Sequence, residues 1–125
     1  HIEFFKTEDD YIAIEYNNRP AGAFALDVYN YSHSADFFKL YAEIVVGKDV
    51  ELNLDSKYGL ASTRRDYKDY AHTEEEIRHK YQEKLKAVLR MPEAFSELQG
   101  NVMYVLVADT LDEMREMEDF VGKLK

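Results

Sequence analysis

The chain has 125 residues, of which 46% are hydrophobic and 33% charged, and its 25 acidic and 16 basic residues give a formal net charge of −9. This composition is typical of a globular protein and excludes an intrinsically disordered one. The acidic balance disfavours direct binding to nucleic acid or to anionic membranes, because both depend on basic side chains. The absence of cysteine excludes disulfides, thiolate metal sites and cysteine nucleophiles.

The length of the chain predicts one domain that spans residues 1–125. No apolar run approaches the about 20 residues that a membrane-spanning helix needs, and no signal-peptide pattern opens the chain. Together with the lack of cysteine, these features predict a cytoplasmic protein that does not enter a membrane.

The first 29 residues alternate in the manner of β-strands. Residues 2–5 predict a short strand, and the alternating apolar residues within 11–16 predict a second one. Residues 17–20 have strong turn chemistry. The same alternation returns at 24–28, so that a hairpin is expected from residue 11 to about residue 29.

In the middle of the chain, the spacing of apolar residues changes twice. Residues 32–34 offer an N-cap, and apolar residues at helical spacing from Phe37 to Val45 predict a helix that ends at Gly47. Residues 50–54 alternate and predict a half-buried strand. Residues 55–72 are interpreted as a long loop with at most a helical turn, or as an unrecognised helix; long loops in compact domains are often functional.

Two capping boxes, 73–76 and 110–113, predict the starts of helices. The first helix is expected to run to about Arg90, and the apolar stripe behind the second box predicts a terminal helix. The continuous apolar run 102–108 is typical of a strand that is covered on both faces.

Between these elements, Pro92 is expected in the first turn of a short helix that ends at Gly100. Phe95 and Leu98 are predicted to face inward from this helix. The complete order is therefore β-β-β-α-β-loop-α-α-β-α. It predicts a two-layer α+β domain with a mixed or antiparallel sheet of about four to five strands, in which 102–108 is central and the helices lie mainly on one face.

The templates for catalysis are missing. The glycines are isolated, so that no phosphate-binding loop is formed, and neither a Gly-x-Ser-x-Gly nor a His-Glu-x-x-His motif occurs. Glu76 and His79 share one helix face, but a di-iron site needs two such pairs and further glutamates. We therefore expect no enzyme activity, no cofactor and no metal; an enzyme of an unrecognised class stays open as an alternative.

The candidate binding residues are tyrosines and arginines, which are enriched at binding hot spots. Residues 58–70 concentrate them, and Arg64 and Arg65 are the only adjacent basic pair, suited to clamp a phosphate or carboxylate. An ordinary loop, or a helix with core tyrosines, remains open for this segment. Tyr29 and Tyr31 are candidates for a partner or self-association surface. The full set of candidates is Tyr29, Tyr31, Tyr58, Arg64, Arg65, Tyr67 and Tyr70.

These features favour a non-enzymatic protein-binding module that occupies a partner surface, as a small acidic inhibitor or regulatory protein of bacterial, phage or mobile-element type does. The partner is expected to be another protein, with a basic surface favoured by the charge of this chain. Homo-oligomerisation to a dimer stays open. The alternative is a domain that binds a small anionic ligand or nucleotide through residues 58–70.

Overall fold

The computed structural model describes all 125 residues and contains five strands and five helices. The α+β class predicted from the sequence is confirmed. The strands are β1 Ile2–Lys6, β2 Tyr11–Tyr16, β3 Tyr58–Arg64, β4 Leu85–Arg90 and β5 Val102–Ala108. The helices are α1 Ala25–His33, α2 Phe37–Val45, α3 Glu74–Lys80, α4 Glu93–Gln99 and α5 Leu111–Gly122.

The strands form two separate antiparallel sheets. β1 and β2 make a two-stranded hairpin, and β3, β5 and β4 make a three-stranded sheet in that order. β5 occupies the centre and pairs with β3 from Tyr58↔Ala108 to Arg64↔Val102. Its residues are buried almost throughout. The predictions that the apolar run 102–108 is central and covered on both faces are confirmed.

The three-stranded sheet is covered by helices on both faces. On one face, Tyr104, Leu106 and Ala108 of β5 pack against residues of α3 and α5 in the larger core cluster. On the other face, Met103 and Val105 form a smaller cluster that α1 covers. The structure therefore differs from the two-layer arrangement expected from the sequence, because an apolar central strand needs cover on both sides.

α1 lies where the sequence predicted the third strand of the chain, which was expected to be the second strand of a hairpin with 11–16. Phe24 and Val28 pack against the smaller core cluster, and Ser32 is buried. These positions are four residues apart, a spacing that fits one face of a helix as well as one face of a strand. α1 approaches β3 closely at Gly59, where an added Cβ would lie 2.6 Å from Cγ1 of Val28.

Segments 50–54 and 55–72 also differ from the prediction. Residues 50–54 form no strand, and β3 occupies part of the segment interpreted as a loop. In β3 the buried residues alternate, but two of the three, Ser62 and Arg64, are polar, and only Leu60 is apolar. A buried face made largely of polar side chains does not show the hydrophobic alternation by which a strand is recognised.

The helix predicted from residue 73 to about Arg90 is shorter and is followed by a strand. α3 ends at Lys80, and residues 85–90 form β4 on the second edge of β5. The apolar residues from Ile77 to Leu89 have the spacing of one helix face. Residues 85–90 nevertheless form a strand, because they pair with β5. α2 is present as predicted, although Asp36 caps it, since its carboxylate accepts the Lys39 N–H at 2.9 Å.

α4 occupies the predicted segment after Pro92, but its apolar side chains do not face a core. Phe95 is 53% exposed and Leu98 84% exposed. The prediction that both face inward is wrong. α4 joins β4 to β5 at the end of the sheet, where no further layer covers it.

The capping box of α3 has the predicted reciprocal geometry. The Thr73 N–H donates to Oε2 of Glu76 at 2.7 Å, and the Glu76 N–H donates to the Thr73 hydroxyl at 3.2 Å. Chiefly because of the Thr73 N–H, the pKa of the Glu76 carboxyl lies below its ordinary value of 4.5. The stability that this interaction contributes is complete above pH 4.5 and is lost as the pH falls through the lowered pKa.

We expect Thr73→Ala to lower the free energy of unfolding by about 1 kcal/mol, because an N-cap hydroxyl is lost and the Glu76 amide has no acceptor in its place. Urea unfolding at neutral pH measures the difference. Thr7→Ala is the control, since the Thr7 hydroxyl also makes main-chain hydrogen bonds, with Asp10 in the β1–β2 turn, but caps no helix. An unchanged midpoint for Thr73→Ala would contradict a stabilising role of this cap.

Candidate protein-interaction surface

Arg64 is one of the predicted binding residues, and the structure buries it. Its side chain is on the α5 side of the sheet, where Nε donates to the main-chain oxygen of Val121 at 2.7 Å and Nη1 donates to that of His72 at 2.6 Å. The guanidinium lies 4.5 Å from the centre of the Tyr70 ring and 5.4 Å from that of Tyr104. Arg64 therefore connects the end of α5 and the segment before α3 to β3.

Arg65 is bound to the main chain in a similar way. Its guanidinium donates to the carbonyl oxygens of Ser96 and Glu97 near the end of α4, at 3.3 and 2.7 Å. The Arg65 N–H donates to the hydroxyl of Tyr70 at 2.9 Å. Both guanidinium groups therefore donate hydrogen bonds to carbonyl oxygens of the chain itself. These contacts weaken the alternative that Arg64 and Arg65 bind an anionic ligand.

The predicted tyrosines are divided between different parts of the molecule. Tyr70 lies against Arg64, while Tyr67 is 76% exposed in the turn after β3. Tyr58 begins β3 and is half-exposed. Tyr29 and Tyr31 belong to α1, which covers the opposite face of the sheet from Arg64. The seven candidate residues therefore do not form one site.

The most exposed apolar surface lies in the first 57 residues, among which only Ser32 is buried. Every residue of β1 and β2 is exposed. α2 contributes a second group of exposed apolar side chains. We call this set the N-terminal apolar surface; its members are Ile2, Phe4, Phe5, Tyr11, Ile12, Ile14, Tyr16, Phe38, Tyr41, Ile44, Val45, Val46 and Leu52.

The hairpin presents large side chains on both faces. Phe4 and Tyr11 make an edge-to-face contact at 6.3 Å between ring centres. Phe5 and Ile12 are cross-strand partners and therefore share a face of the hairpin. An isolated two-stranded hairpin is at best marginally stable in water, and every residue of this hairpin is exposed.

A groove of about 440 Å³ runs between the base of the hairpin and helices α1 and α2. Tyr29, one of the predicted residues, lines it and contacts Phe37 at 6.0 Å between ring centres. From α2, one helical face contributes to the lining. Its members are Phe37, Leu40, Tyr41 and Ile44. The groove is continuous with the N-terminal apolar surface through Tyr41 and Ile44.

Most of the net negative charge lies in the same part of the chain, because basic residues are fewer there. Residues 1–57 contain 11 acidic and five basic residues, whereas the other 68 contain 14 and 11. Several carboxylates of the second part form ion pairs with lysine or arginine side chains. Asp109 contacts Lys84 and Lys57, and the hydrogen bond from Lys84 is the largest cause that lowers the pKa of this carboxyl. The N-terminal apolar surface therefore lies in the part with the larger unpaired negative charge.

The sequence analysis missed this surface because it assigned 24–28 to a strand of the hairpin and 50–54 to a half-buried strand, so that the neighbouring apolar residues were expected to pack within a sheet. One signal was present. Phe4 and Phe5 are adjacent in a strand, and adjacent residues in a strand point to opposite faces. A hairpin with aromatic residues on both faces needs two covers, and this chain supplies neither.

No group of three or more histidine, aspartate or glutamate side chains is positioned to hold a metal ion. None of the five helices has the length and apolar content required to cross a membrane. Comparison with protein-family models, with curated proteins and with solved structures finds no match to this chain.

Proposed function

We propose that the protein is a binding module that occupies the surface of a partner protein through its N-terminal apolar surface, and that it acts as an inhibitor or regulator of that partner. The observation that supports this proposal is the exposure of apolar side chains on the hairpin and on α2. Soluble monomers rarely expose large apolar patches unless the patches bind something.

The charge of this region supports a partner with a basic surface. Carboxylates are interspersed among the exposed apolar residues, with Glu3 and Glu15 as a cross-strand pair of the hairpin and Glu43 on α2. Apolar groups at the centre of an interface contribute affinity, while complementary charges around them select the partner and accelerate association. A basic partner would relieve the excess of negative charge that residues 1–57 carry.

The proposal predicts that Phe38→Ser combined with Val45→Ser weakens partner binding at least about tenfold, equivalent to about 1.4 kcal/mol. Both side chains are exposed on α2, at 52% and 64%, so that their loss is expected to change stability little. Affinity capture and mass spectrometry first identify the partner, and calorimetric titration then compares the variants.

The matched control is Phe95→Ser combined with Leu98→Ser, because these residues are also an exposed aromatic and aliphatic pair on a helix but lie on α4. We expect the control to bind like the wild type. We also expect affinity to fall as salt is raised, since charge pairs at the rim are screened. Equal losses by the two double variants, or an acidic partner with salt-independent affinity, would contradict the proposal.

A further inference from the structure

The outer edges of the β1–β2 hairpin are not equivalent. At one end of the hairpin the Thr7 N–H donates to the carbonyl of Asp10 at 2.9 Å, and at the other the Asn17 N–H donates to that of His1 at 2.8 Å. His1 and Thr7 therefore direct their main-chain groups toward β2. In an antiparallel pair the hydrogen-bonding direction alternates with each residue.

It follows that Ile2, Phe4 and Lys6 direct their N–H and C=O groups away from β2. Neither sheet contains a further strand beside β1, so that this edge has no main-chain partner. The edge is regular, since the extra residue of the β-bulge lies in β2, between the partners of Glu3 and Phe4. Of these three outward-directed residues, only Lys6, at the end of the strand, is charged, and charged side chains are among the features that protect edge strands.

The outer edge of β2 is protected. The Tyr11 N–H, which alternation directs outward, donates to Oδ1 of Asp10 at 2.7 Å. The bulge at Ile14 interrupts the regular spacing further along this strand, and bulges of this kind disfavour the addition of another strand. β1 therefore offers an open edge, and β2 does not.

We propose that β1 of one copy pairs antiparallel with β1 of a second copy, about a twofold axis at Phe4, to form a four-stranded sheet in a homodimer. This register places Phe4 opposite Phe4, Ile2 opposite Lys6, and Glu3 opposite Phe5 of the second copy. No acidic residue faces another directly, and such like-charge pairs are what destabilise a sheet. An interface that uses the same patch on both subunits closes as a dimer.

A second copy is the occupant favoured by the hairpin itself. Pairing with a second copy turns the two-stranded sheet into a four-stranded one. It gives hydrogen-bond partners to the outward N–H and C=O groups of three residues in each copy. A larger sheet is more stable than an isolated hairpin, which is at best marginally stable in water. The outward set Ile2, Phe4 and Lys6 contains no carboxylate, so that the charge of −9 is not concentrated at this contact. The proposal does not depend on the partner proposed above, which is assigned to α2 and the faces of the hairpin.

Sedimentation velocity of the full chain across the micromolar range tests the proposal. We expect the mean mass to rise with concentration from 14.7 kDa toward twice that value. Phe4→Pro removes an outward N–H without breaking a bond to β2, and should weaken dimerisation at least about tenfold. Ala13→Pro is the matched control, since its N–H faces outward on β2, and it should dimerise like the wild type.

The position of the axis is tested by opposite charges. Phe4→Lys and Phe4→Glu should each remain monomeric where the wild type dimerises, because each places like charges opposite one another. An equimolar mixture of the two should form a heterodimer. Circular dichroism confirms that each variant is folded. A wild type that is monomeric throughout the range, equal effects of the two proline variants, or a mixture no more dimeric than its components would overturn the proposal.

Discussion

Replacing Arg64 by alanine is expected to lower the free energy of unfolding by about 3 kcal/mol. The side chain is 7% exposed and donates to two main-chain oxygens, those of His72 and Val121. Each buried carbonyl that loses its donor costs about 1–3 kcal/mol. The contacts of the guanidinium with the rings of Tyr70 and Tyr104 are lost as well.

Urea unfolding followed by circular dichroism and tyrosine fluorescence measures the loss, since the chain has 10 tyrosines and no tryptophan. We expect Arg64→Lys to lie between the wild type and Arg64→Ala, because an ammonium group keeps the charge but lacks the planar fork that reaches both carbonyls. The control is Arg65→Ala, whose bonds to α4 are more exposed. A loss from Arg64→Ala no larger than that from Arg65→Ala would show that burial of this guanidinium does not stabilise the fold.

Leu106→Ala is expected to lower the free energy of unfolding by about 2–5 kcal/mol. Leu106 is fully buried at the centre of β5, in the larger core cluster. Removing a buried leucine side chain loses its transfer free energy and leaves a cavity that the surrounding strands and helices fill only in part.

Leu98→Ala makes the same chemical change on α4, where the side chain is 84% exposed. We expect its effect to stay within about 0.5 kcal/mol, as is usual for surface substitutions. The difference between the two variants therefore measures the contribution of burial in the sheet. Similar losses of unfolding free energy from Leu106→Ala and Leu98→Ala would mean that Leu98 is buried in the folded protein, contrary to the structure.

The two parts of the chain are expected to respond differently to substitution. The three-stranded sheet with α3 and α5 contains the larger core cluster, and variants there should act through stability. Residues 1–57 have a single buried residue, Ser32. Variants on the N-terminal apolar surface should instead change association, with little effect on the free energy of unfolding.

The sequence by itself determined the elements that depend on neighbouring residues. The capping box at Thr73 starts α3 and the Thr110 cap starts α5, because the partners of these hydroxyls are three residues away. The apolar run 102–108 is long enough to require two covers, so that its central place in the sheet could be predicted from its composition. β1 and β2 follow from the strand-forming residues at 2–5 and the alternation within 11–16.

Only the tertiary structure decided the other elements and the roles of the candidate residues. Residues 81–89 carry apolar side chains at spacings compatible with a helix, and the free edge of β5 makes part of them a strand. Arg64 stands out in the sequence, but the carbonyl that fixes its role lies 57 residues away at Val121. The N-terminal apolar surface is exposed because no later segment covers the hairpin. A local pattern shows that a side chain is apolar or charged, whereas burial depends on what distant parts of the chain bring to it.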